Sequence, residues 1–339
     1  MSGEGGGQAS RAAAYLILLG YRQTQCLSAA TGLGVFDRLQ SGPEAASDLA
    51  LHCNADAHSM QRLLRTLVAM QVLSQDGDGR FHLTSIGSFF TSEQLGPVVR
   101  YMTIEPSWRS WARLGDSVRT GQRAFDLEHD MRDWDYYAAN PNSAAIFDAA
   151  MRSLTAPSAA SIIASHDFST YRTVADIGGG DGSLLIAILS ANPGLEGILF
   201  DRPHVLDRAA GRLAEAGVSR RCRTVGGSFL EEVPAGADAY VLKWILHDWE
   251  DRDAQRILNV CRRAMSTGGD LILIERVLPD RITPQDLEAV LADLQMMVMN
   301  GGVERNESEF RELLAGSGFR LESVTPTTTP VSVIRAIPV

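Results

Sequence analysis

The amino-acid sequence predicts an α/β protein, in which a mainly helical, winged-helix-like N-terminal domain precedes a doubly wound parallel sheet. Two observations indicate this fold class. Residues 11–105 read mostly as amphipathic helices, whereas from about residue 171 short apolar strands alternate with helical segments. Such alternation is typical of a parallel sheet that is covered on both faces. The chain of 339 residues is long enough for two domains, which we place at residues 1–105 and 106–339.

The N-terminal domain begins with residues 1–9, for which we expect a flexible tail. The next stretch, RAAAYLILLGYRQTQCLSAATGLGVFDRL (residues 11–39), carries apolar residues on more than one face. Packing on one core needs a single apolar stripe, so we expect part of this surface to contact a second copy of the chain in a homodimer. Two more amphipathic helices and a hairpin signal follow over residues 44–84, in the order of a winged helix.

A winged helix raises the alternative of a DNA-binding regulator. The helix in the recognition position offers Arg62 and Arg65 among mostly apolar residues. Binding to a duplex requires clustered Lys and Arg, whereas this chain has a net charge of −10 and a pI near 5.2. We therefore expect dimerisation from this domain, no binding to nucleic acid, and a small molecule as the partner.

The cysteines and the N-terminus indicate a compartment. Four cysteines are dispersed along the chain without a C-x-x-C pair, which predicts neither a zinc site nor a disulfide framework. The N-terminus lacks a basic region, and the apolar run at residues 12–20 is too short to span a bilayer. We expect a cytoplasmic protein that does not bind membranes.

In the C-terminal domain, TVADIGGGDGSLL (residues 173–185) predicts a strand, a glycine loop and a helix. Gly178 and Gly180 let the backbone approach a ligand closely and present N–H groups to it. The G-x-G-x-G spacing differs from the G-x-G-x-x-G that dinucleotide folds place around a pyrophosphate, which disfavours NAD. Asp201 ends the next strand, about twenty residues on, where an acid accepts hydrogen bonds from ribose hydroxyls. Loop and acid together predict a nucleoside ligand.

Two later segments add candidate residues at strand ends. VGGSF places Ser228 to hydrogen-bond an adenine edge and Phe229 to pack on its face, although a core position is an equal alternative for Phe229. VLKWILHDWEDRDAQRIL (residues 241–258) begins as a buried strand and then carries Lys243, the single lysine of the sequence, and His247. Polar groups at the carboxyl end of such a strand face the crevice in which ligands bind.

These segments resemble the S-adenosylmethionine (SAM)-dependent small-molecule O-methyltransferases, which include caffeate- and flavonoid-type plant enzymes and bacterial enzymes that methylate aromatic polyketides and related natural products. The resemblance covers nearly the whole chain and implies a Rossmann-like SAM-binding domain behind a dimerisation domain. It runs in family order through DYYAANPNSAAIFDAAM, VADIGGGDGSLL, LFDRPHV, VGGSF, LKWILHDWEDRDAQRIL, LILIERVLP, DLQMMVMNGGVERNESEF and LLAGSGF.

The resemblance implies where SAM binds and where its product, S-adenosylhomocysteine, forms. Ser228 stands where the family often has an aspartate, so it marks a departure on the adenine side. The contacts implied are the cofactor against Gly178 and Gly180, its ribose on Asp201, its adenine near Ser228 and Phe229, and its methionine end near Lys243.

The resemblance makes His247 the general base and Glu275 and Glu304 the acids that flank and orient it. The chemistry agrees with these residue types. A phenol has a pKa near 10 and is a poor nucleophile while protonated. A histidine that takes its proton accelerates transfer roughly 10²–10⁴-fold, and a carboxylate at the other ring nitrogen sets the tautomer and stabilises the imidazolium.

On the acceptor side, Asn300 matches a residue near the acceptor ring, and Phe147 and Met151 match positions that line its pocket. Asn306 stands where a threonine is common. The resemblance thus predicts an enzyme that transfers a methyl group from SAM to a hydroxyl, expected to be phenolic, of an aromatic natural product or biosynthetic intermediate.

Two further expectations concern cofactor chemistry. No set of His, Asp, Glu and Cys with the spacing of metal ligands occurs near His247 in the sequence, so we expect no metal. The enzymatic alternative is a relative on the same scaffold that binds SAM but catalyses hydroxylation or decarboxylation. The intact His-Asp-Trp motif favours methyl transfer.

Overall fold

The structure is a computed structural model that describes residues 4–339, with side chains from Ser10 onward. Residues 1–3 of the predicted flexible tail lie outside the described residues. The backbone of residues 4–9 belongs to the first helix, so this part of the tail is helical rather than irregular.

The chain divides into two compact units, each built from two segments. The predicted division after residue 105 assigns all later residues to the C-terminal domain, whereas the residues of one later helical stretch cluster with the first unit. The domain boundary after residue 105 stays a prediction. The first unit comprises Met1–Trp108 and Asn142–Ser153, and the second comprises Arg109–Pro141 and Leu154–Val339.

The first unit is a helical core with a two-stranded hairpin. Phe36, Leu64 and Phe81 are fully buried in this core, and burial of each large apolar side chain contributes about 1.5–3 kcal/mol. Leu73 pairs with Leu83 across the hairpin in antiparallel register, as the winged-helix pattern predicts. The elements are α1 (Glu4–Leu18), α2 (Gly20–Gly32), α3 (Val35–Gln40), α4 (Ala46–His52), α5 (Ala57–Ala69), β1 (Leu73–Gln75), β2 (Phe81–Leu83) and α6 (Gly96–Thr103).

Helices α1 and α2 expose a run of large apolar side chains. Ile17 is 83% exposed, and its neighbours Leu16 and Leu18 are exposed as well. Contiguous apolar surface of this kind marks a contact site. None of the helices within residues 4–339 combines the length and apolarity that a bilayer crossing requires.

The second unit contains a mixed sheet of seven strands, counted within residues 4–339, in the order β10-β11-β7-β6-β3-β4-β5. Five neighbouring strands, from β7 to β5 in this order, run parallel. β11 and β10 are antiparallel additions at the β7 side, so the prediction of a purely parallel sheet is wrong at this side. The seven strands are β3 (Thr173–Ile177), β4 (Glu196–Asp201), β5 (Cys222–Gly226), β6 (Ala239–Lys243), β7 (Asp270–Glu275), β10 (Phe319–Pro326) and β11 (Ser332–Pro338). Two further strands, β8 (Val277–Leu278) and β9 (Arg305–Asn306), pair with each other in a separate parallel sheet.

Helices cover both faces of this sheet. Alternate residues of β6 divide between the faces: Tyr240 and Leu242 pack into one cluster, and Val241 packs into the other. A strand buried on both faces reads as a continuous apolar run, which explains its sequence. The helices of the second unit are α7 (Glu105–Ala112), α8 (Leu114–Thr120), α9 (Ala124–His129), α10 (Asp133–Ala139), α11 (Pro141–Ser165), α12 (Ser183–Ala191), α13 (Pro203–Glu215), α14 (Asp251–Ala264), α15 (Leu287–Met299) and α16 (Glu307–Ala315). Of these, α7 and α11 also extend into the first unit.

The strand order reverses between β3 and β6, which are parallel neighbours with Asp176 opposite Val241. The chain proceeds outward from β3 through β4 to β5 and then returns to β6 on the other side. Ligands of open α/β sheets bind at such a switch point, beyond the carboxyl ends of the strands. The glycine loop after β3 and the segment after β6 therefore meet at this point.

Candidate active site

The site is built on residues 244–250, which follow β6 and which we call the HDW loop. Trp244 leaves the strand with a positive φ of 54°. For a bulky side chain this conformation costs about 1–3 kcal/mol and persists only where the surroundings impose it. Leu246–Asp248 form a single 3-10 turn, and His247 is buried, with 9% of its surface exposed.

Three carboxylates surround the imidazole of His247. Its Nδ1 lies 2.9 Å from Oε1 of Glu304 and 3.9 Å from Oε2 of Glu275, and its Nε2 lies 3.5 Å from Oδ1 of Asp248. An ionised carboxylate only accepts hydrogen bonds, so Nδ1–H donates to Glu304. In the neutral ring this leaves the lone pair on Nε2.

These charges determine how His247 titrates. Burial alone lowers the pKa of His247, but Asp248, Glu304 and Glu275 outweigh burial and raise the pKa to about 10. Burial raises the pKa of Asp248 to about 8, against the opposing effect of His247, and burial also raises the pKa of Glu275. The cluster therefore retains its protons to a higher pH than is usual for these side chains.

The two predicted orienting acids have different contacts. Glu304 makes the hydrogen bond to the imidazole, and Nη1 of Arg276 lies 3.7 Å from the same oxygen. Oε1 of Glu275 instead accepts hydrogen bonds from the backbone N–H groups of Ile245 at 3.0 Å and Leu246 at 2.9 Å. Glu275 thus holds the start of the HDW loop.

The fold assembles a set of ligand-type side chains that spacing in the sequence does not show. Ligand atoms of His247, Glu275 and Glu304 lie within 4.8 Å of one another, although 57 residues separate the histidine from Glu304. The expectation of no metal was argued from the absence of a set near His247 in the sequence. Spacing in the sequence could not show this cluster, because its members lie far apart in the chain, and the absence of a metal stays a prediction.

The glycine loop has the predicted close-approach geometry but uses its N–H groups within the protein. Gly178 and Gly180 have φ values of 70° and 59°. The N–H of Gly178 donates to the carbonyl of Phe200 at 2.8 Å, and that of Gly180 donates to Oδ2 of Asp201 at 2.8 Å. A Cβ atom at Gly180 would meet no atom within 4 Å, so the loop is open at that position.

The structure brings Asp201 to the glycine loop. Its Oδ1 accepts a hydrogen bond from the N–H of Arg202 at 2.7 Å, and its Oδ2 accepts the one from Gly180. Burial raises the pKa of this carboxyl group. Each carboxylate oxygen has two lone pairs, so Asp201 retains capacity to accept hydrogen bonds from a ligand.

Phe229 packs beside the loop, and Ser228 forms a local turn. A Cβ atom at Gly178 would lie 3.4 Å from Cε1 of Phe229, and the Phe229 ring packs edge-on against Trp249 with centroids 5.9 Å apart. Oγ of Ser228 accepts a hydrogen bond from the N–H of Leu230 at 3.4 Å. Phe229 therefore joins the loop to the hydrophobic core.

Asp176 is buried and Lys243 is partly buried, and the charge of each affects the pKa of the other. Nζ of Lys243 donates to Oγ1 of Thr155 at 3.0 Å and lies 3.2 Å from the ring centroid of Trp244. Burial lowers the pKa of Lys243 to about 7, against the charges of Glu275 and Asp176. Burial raises the pKa of Asp176 to about 7, and its Oδ2 has no hydrogen-bond partner among the described residues.

The acceptor-side candidate Asn300 lies in the second unit. Its Nδ2 donates to Oδ2 of Asp133 at 2.8 Å, and both residues are buried. Burial raises the pKa of Asp133 to about 7, and the Asp133 charge in turn raises the pKa of Asp248. Asp133 was not predicted, because an isolated acid at a helix start normally faces solvent.

Phe147 and Met151 lie on α11, in the part of that helix that belongs to the first unit. Both are partly buried, and the Phe147 ring contacts Tyr101 edge-on with centroids 5.5 Å apart. Their assignment to an acceptor pocket stays a prediction.

Asn306 begins α16. Its side-chain oxygen accepts a hydrogen bond from the N–H of Glu309 at 2.9 Å, and the Glu309 carboxylate accepts one from the N–H of Asn306 at 2.8 Å. Asparagine and threonine are both suited to this capping position. The departure from the family pattern is therefore accommodated by the helix start.

Comparisons with known proteins match both parts of the chain. Residues 15–93 match the O-methyltransferase dimerisation domain, and residues 111–320 match the O-methyltransferase domain. A phenazine O-methyltransferase from Lysobacter antibioticus is 40% identical over 326 residues, or 95% of either chain. A mitomycin biosynthesis 6-O-methyltransferase from Streptomyces lavendulae is 37% identical over 331 residues, which cover 95% of this chain and 94% of that one.

Structural comparison adds a relative with bound ligands. An O-methyltransferase from neocarzinostatin biosynthesis, solved in complex with SAM and 2-hydroxy-5-methyl naphthoic acid, has a TM-score of 0.79 and 31% identity, and the match covers 94% of this chain and 96% of that one. The predicted fold class, a winged-helix-like dimerisation domain with a SAM-dependent methyltransferase domain, is confirmed. Because the domain match spans more than half of the chain and both relatives match it nearly end to end, the chain belongs to the O-methyltransferase family and is a SAM-dependent O-methyltransferase.

Proposed function

We propose that this enzyme methylates a phenolic hydroxyl of an aromatic natural product or biosynthetic intermediate, with His247 as the general base. The observation that carries the proposal is the buried imidazole whose Nδ1 is held 2.9 Å from Glu304. This contact orients the ring and leaves the Nε2 lone pair for a substrate proton. Bound SAM supplies a methyl group that its positive sulfur has already activated, so the protein aligns the two reactants and accepts one proton.

In the proposed step one bond forms and one bond breaks. The phenol oxygen forms a bond to the methyl carbon while the carbon–sulfur bond breaks, and the phenol proton passes to Nε2 of His247. S-adenosylhomocysteine and a methyl ether remain, and the imidazolium later releases its proton to solvent. Glu304 and Glu275, at 2.9 Å and 3.9 Å from Nδ1, stabilise the imidazolium as it forms.

The donor side of the proposal fits the arrangement at the switch point. The open glycine loop, the spare acceptor capacity of Asp201 and the unpartnered oxygen of Asp176 form a polar edge suited to a nucleoside and its amino-acid end. The proposed cofactor-binding residues are Gly178, Gly180, Asp201, Ser228, Phe229 and Lys243.

We expect Asp201→Ala to raise the Kd for SAM at least about tenfold, because hydrogen bonds to a charged group contribute about 1.5–3 kcal/mol and 1.4 kcal/mol is a factor of ten. The kcat at saturating SAM should change little, since Asp201 does not contact His247. Calorimetric titration with S-adenosylhomocysteine and initial-rate kinetics measure both quantities. Asp207→Ala, an exposed acid on α13, is the control. An unchanged affinity in Asp201→Ala would contradict the ribose assignment.

On the acceptor side we propose Asn300 as a contact of an aromatic acceptor, and Phe147 and Met151 stay predicted acceptor contacts. The relatives support an aromatic acceptor, since their names specify a phenazine and a mitomycin and one is solved with a naphthoic acid. Incubation of labelled SAM with a panel of phenolic polyketides and phenazines tests the proposal. A product heavier by one methyl group, with S-adenosylhomocysteine, supports it; addition of oxygen or loss of carbon dioxide supports the alternative chemistry instead.

We further propose that catalysis needs no metal ion, although His247, Glu275 and Glu304 lie close together. Nδ1 of His247 already donates to Glu304, and Glu304 lies 3.7 Å from the Arg276 cation, which disfavours a second cation. Dialysis against EDTA is therefore expected to leave kcat unchanged. A loss of activity that zinc or magnesium restores would contradict this.

The dimerisation domain supports a homodimer as the functional form. The exposed apolar side chains of α1, including Leu16, Ile17 and Leu18, lie within or beside residues 15–93, which match that domain. We propose that this surface pairs two copies of the chain, since exposed apolar surface in a continuous run is unfavourable in water.

A further inference from the structure

The backbone around His247 is held by a side chain that the reaction itself does not use. Arg305 is 2% exposed and is among the largest fully buried side chains of the described residues. Its Nη1 donates to the carbonyl of Leu246 at 3.0 Å, and its Nη2 donates to the carbonyl of Trp249 at 2.9 Å. These two carbonyls flank His247 and Asp248, so one guanidinium spans the HDW loop.

Arg305 makes further hydrogen bonds to Val303 and Asp251. Nη1 also donates to the carbonyl of Val303 at 3.3 Å, and Nε and Nη2 donate to Oδ1 of Asp251 at 3.0 and 2.8 Å. Asp251 is 72% exposed on its side chain and begins α14, so solvent weakens this ion pair. A planar fork of five donors makes this set of contacts, whereas the compact ammonium of lysine has three donors on one atom and cannot reach all the acceptors.

The residues before Arg305 contact the same loop. The N–H of Val303 donates to the carbonyl of His247 at 2.9 Å. Gly302 permits this approach, because a Cβ atom there would lie 1.8 Å from the His247 carbonyl oxygen. Residues 302–305 therefore include Glu304 on the His247 ring and three neighbours against the backbone that carries it.

We infer that Arg305 is a positioning residue for His247, which acts by holding the carbonyls of Leu246 and Trp249 and thereby the place of the imidazole. The inference rests on the proposed role of His247 as the base. The HDW loop has a left-handed residue and a single 3-10 turn, and hence few hydrogen bonds of its own. A shift of about 1 Å in a catalytic group can reduce the rate about 10²-fold.

Arg305→Lys is the direct test. It keeps the charge and loses the fork, and we expect kcat to fall at least about tenfold while the Kd for SAM stays within about threefold, since misplacement of a base by a fraction of an ångström affects the chemical step rather than donor binding. Rates are expressed per mole of protein that binds S-adenosylhomocysteine in calorimetry. Arg221→Lys is the matched control, because Arg221 donates to the carbonyls of Leu189, Asn192 and Leu195, away from the HDW loop.

A milder variant covers the case in which Arg305→Lys does not fold. Asp251→Ala removes the outer acceptor of Arg305 from an exposed position, and we expect kcat to fall severalfold with SAM affinity unchanged. Asp253→Ala, in the same first turn of α14, controls for the loss of an acid near the helix N-terminus and is expected to retain wild-type kcat.

The outcomes separate this inference from the proposed function. Wild-type kcat per binding site in Arg305→Lys, or in Asp251→Ala where the first does not fold, overturns the positioning role. A loss of SAM affinity equal to the loss of kcat, or an equal loss in the Arg221 or Asp253 control, shows a general structural role and also overturns it. A fully active His247→Ala variant removes the base itself, whatever the Arg305 variants do.

Discussion

His247→Ala is expected to lower kcat by about 10²–10⁴-fold, the usual contribution of a general base, and to leave the affinity for SAM nearly unchanged. In the proposed mechanism the imidazole takes the phenol proton, and its Nδ1 donates to Glu304 at 2.9 Å. The proposed SAM contacts lie on the glycine loop, Asp201 and Lys243, so removal of the ring does not remove them. Single-turnover rates and calorimetric titration with S-adenosylhomocysteine measure the two effects separately.

His58→Ala, an exposed histidine on α5, is the matched control and should retain full activity. The variant also discriminates between modes of catalysis. If alignment alone sufficed, His247→Ala would turn over at close to the wild-type rate, and the proposed base would have to be abandoned. A parallel loss of SAM binding would instead indicate collapse of the HDW loop.

Glu304→Gln is expected to lower the maximal kcat about 10²-fold and to move the rising limb of the pH profile to lower pH. Only the neutral imidazole accepts a proton, so kcat rises as pH increases through the pKa of His247. Asp248, Glu304 and Glu275 raise this pKa to about 10, which places the rise of kcat on the alkaline side of neutrality. Loss of the Glu304 charge lowers the pKa, and with it the pH at which the free base appears.

The lower maximum has a separate cause. In the proposed transition state His247 gains a positive charge, and a neutral amide stabilises that charge less than a carboxylate does. Measurement of kcat from pH 6 to about 10.5, a range that spans the ordinary and raised pKa of the imidazole, follows the rising limb, and a fit of that limb gives the maximal kcat. Glu307→Gln, at an exposed position on α16, should alter neither. A limb that stays in place or moves upward in Glu304→Gln would show that Glu304 does not control the titration.

Much of the fold follows from local pattern. The apolar runs of β3, β6 and β7 predict buried strands, and the helices between them predict a sheet with both faces covered. The two antiparallel strands β10 and β11 were not predicted, because alternating residues do not indicate which strand such a segment pairs with. The pairing that places them at the β7 side is a long-range choice.

Local pattern also predicted only part of the candidate site. His247 and Asp201 follow strands and belong to short motifs, so spacing in the sequence points to them. Arg305, Asp133 and Asp176 carry no such signal, since a lone charged residue is normally solvated. Their burial is visible only in the folded chain, where hydrogen bonds or nearby charges compensate the loss of water.

What the sequence by itself determined about this protein is the set of elements and the local chemistry: a glycine loop after one strand, an acid after the next, and a histidine after another. What only the tertiary structure decided is which polar groups meet. His247 and Glu304 are 57 residues apart in the chain and 2.9 Å apart in the fold, and Arg305 reaches the HDW loop across a similar separation. Hydrophobic burial drives the strands together with little regard for direction, and polar groups at their ends must then find partners in the places that this packing leaves.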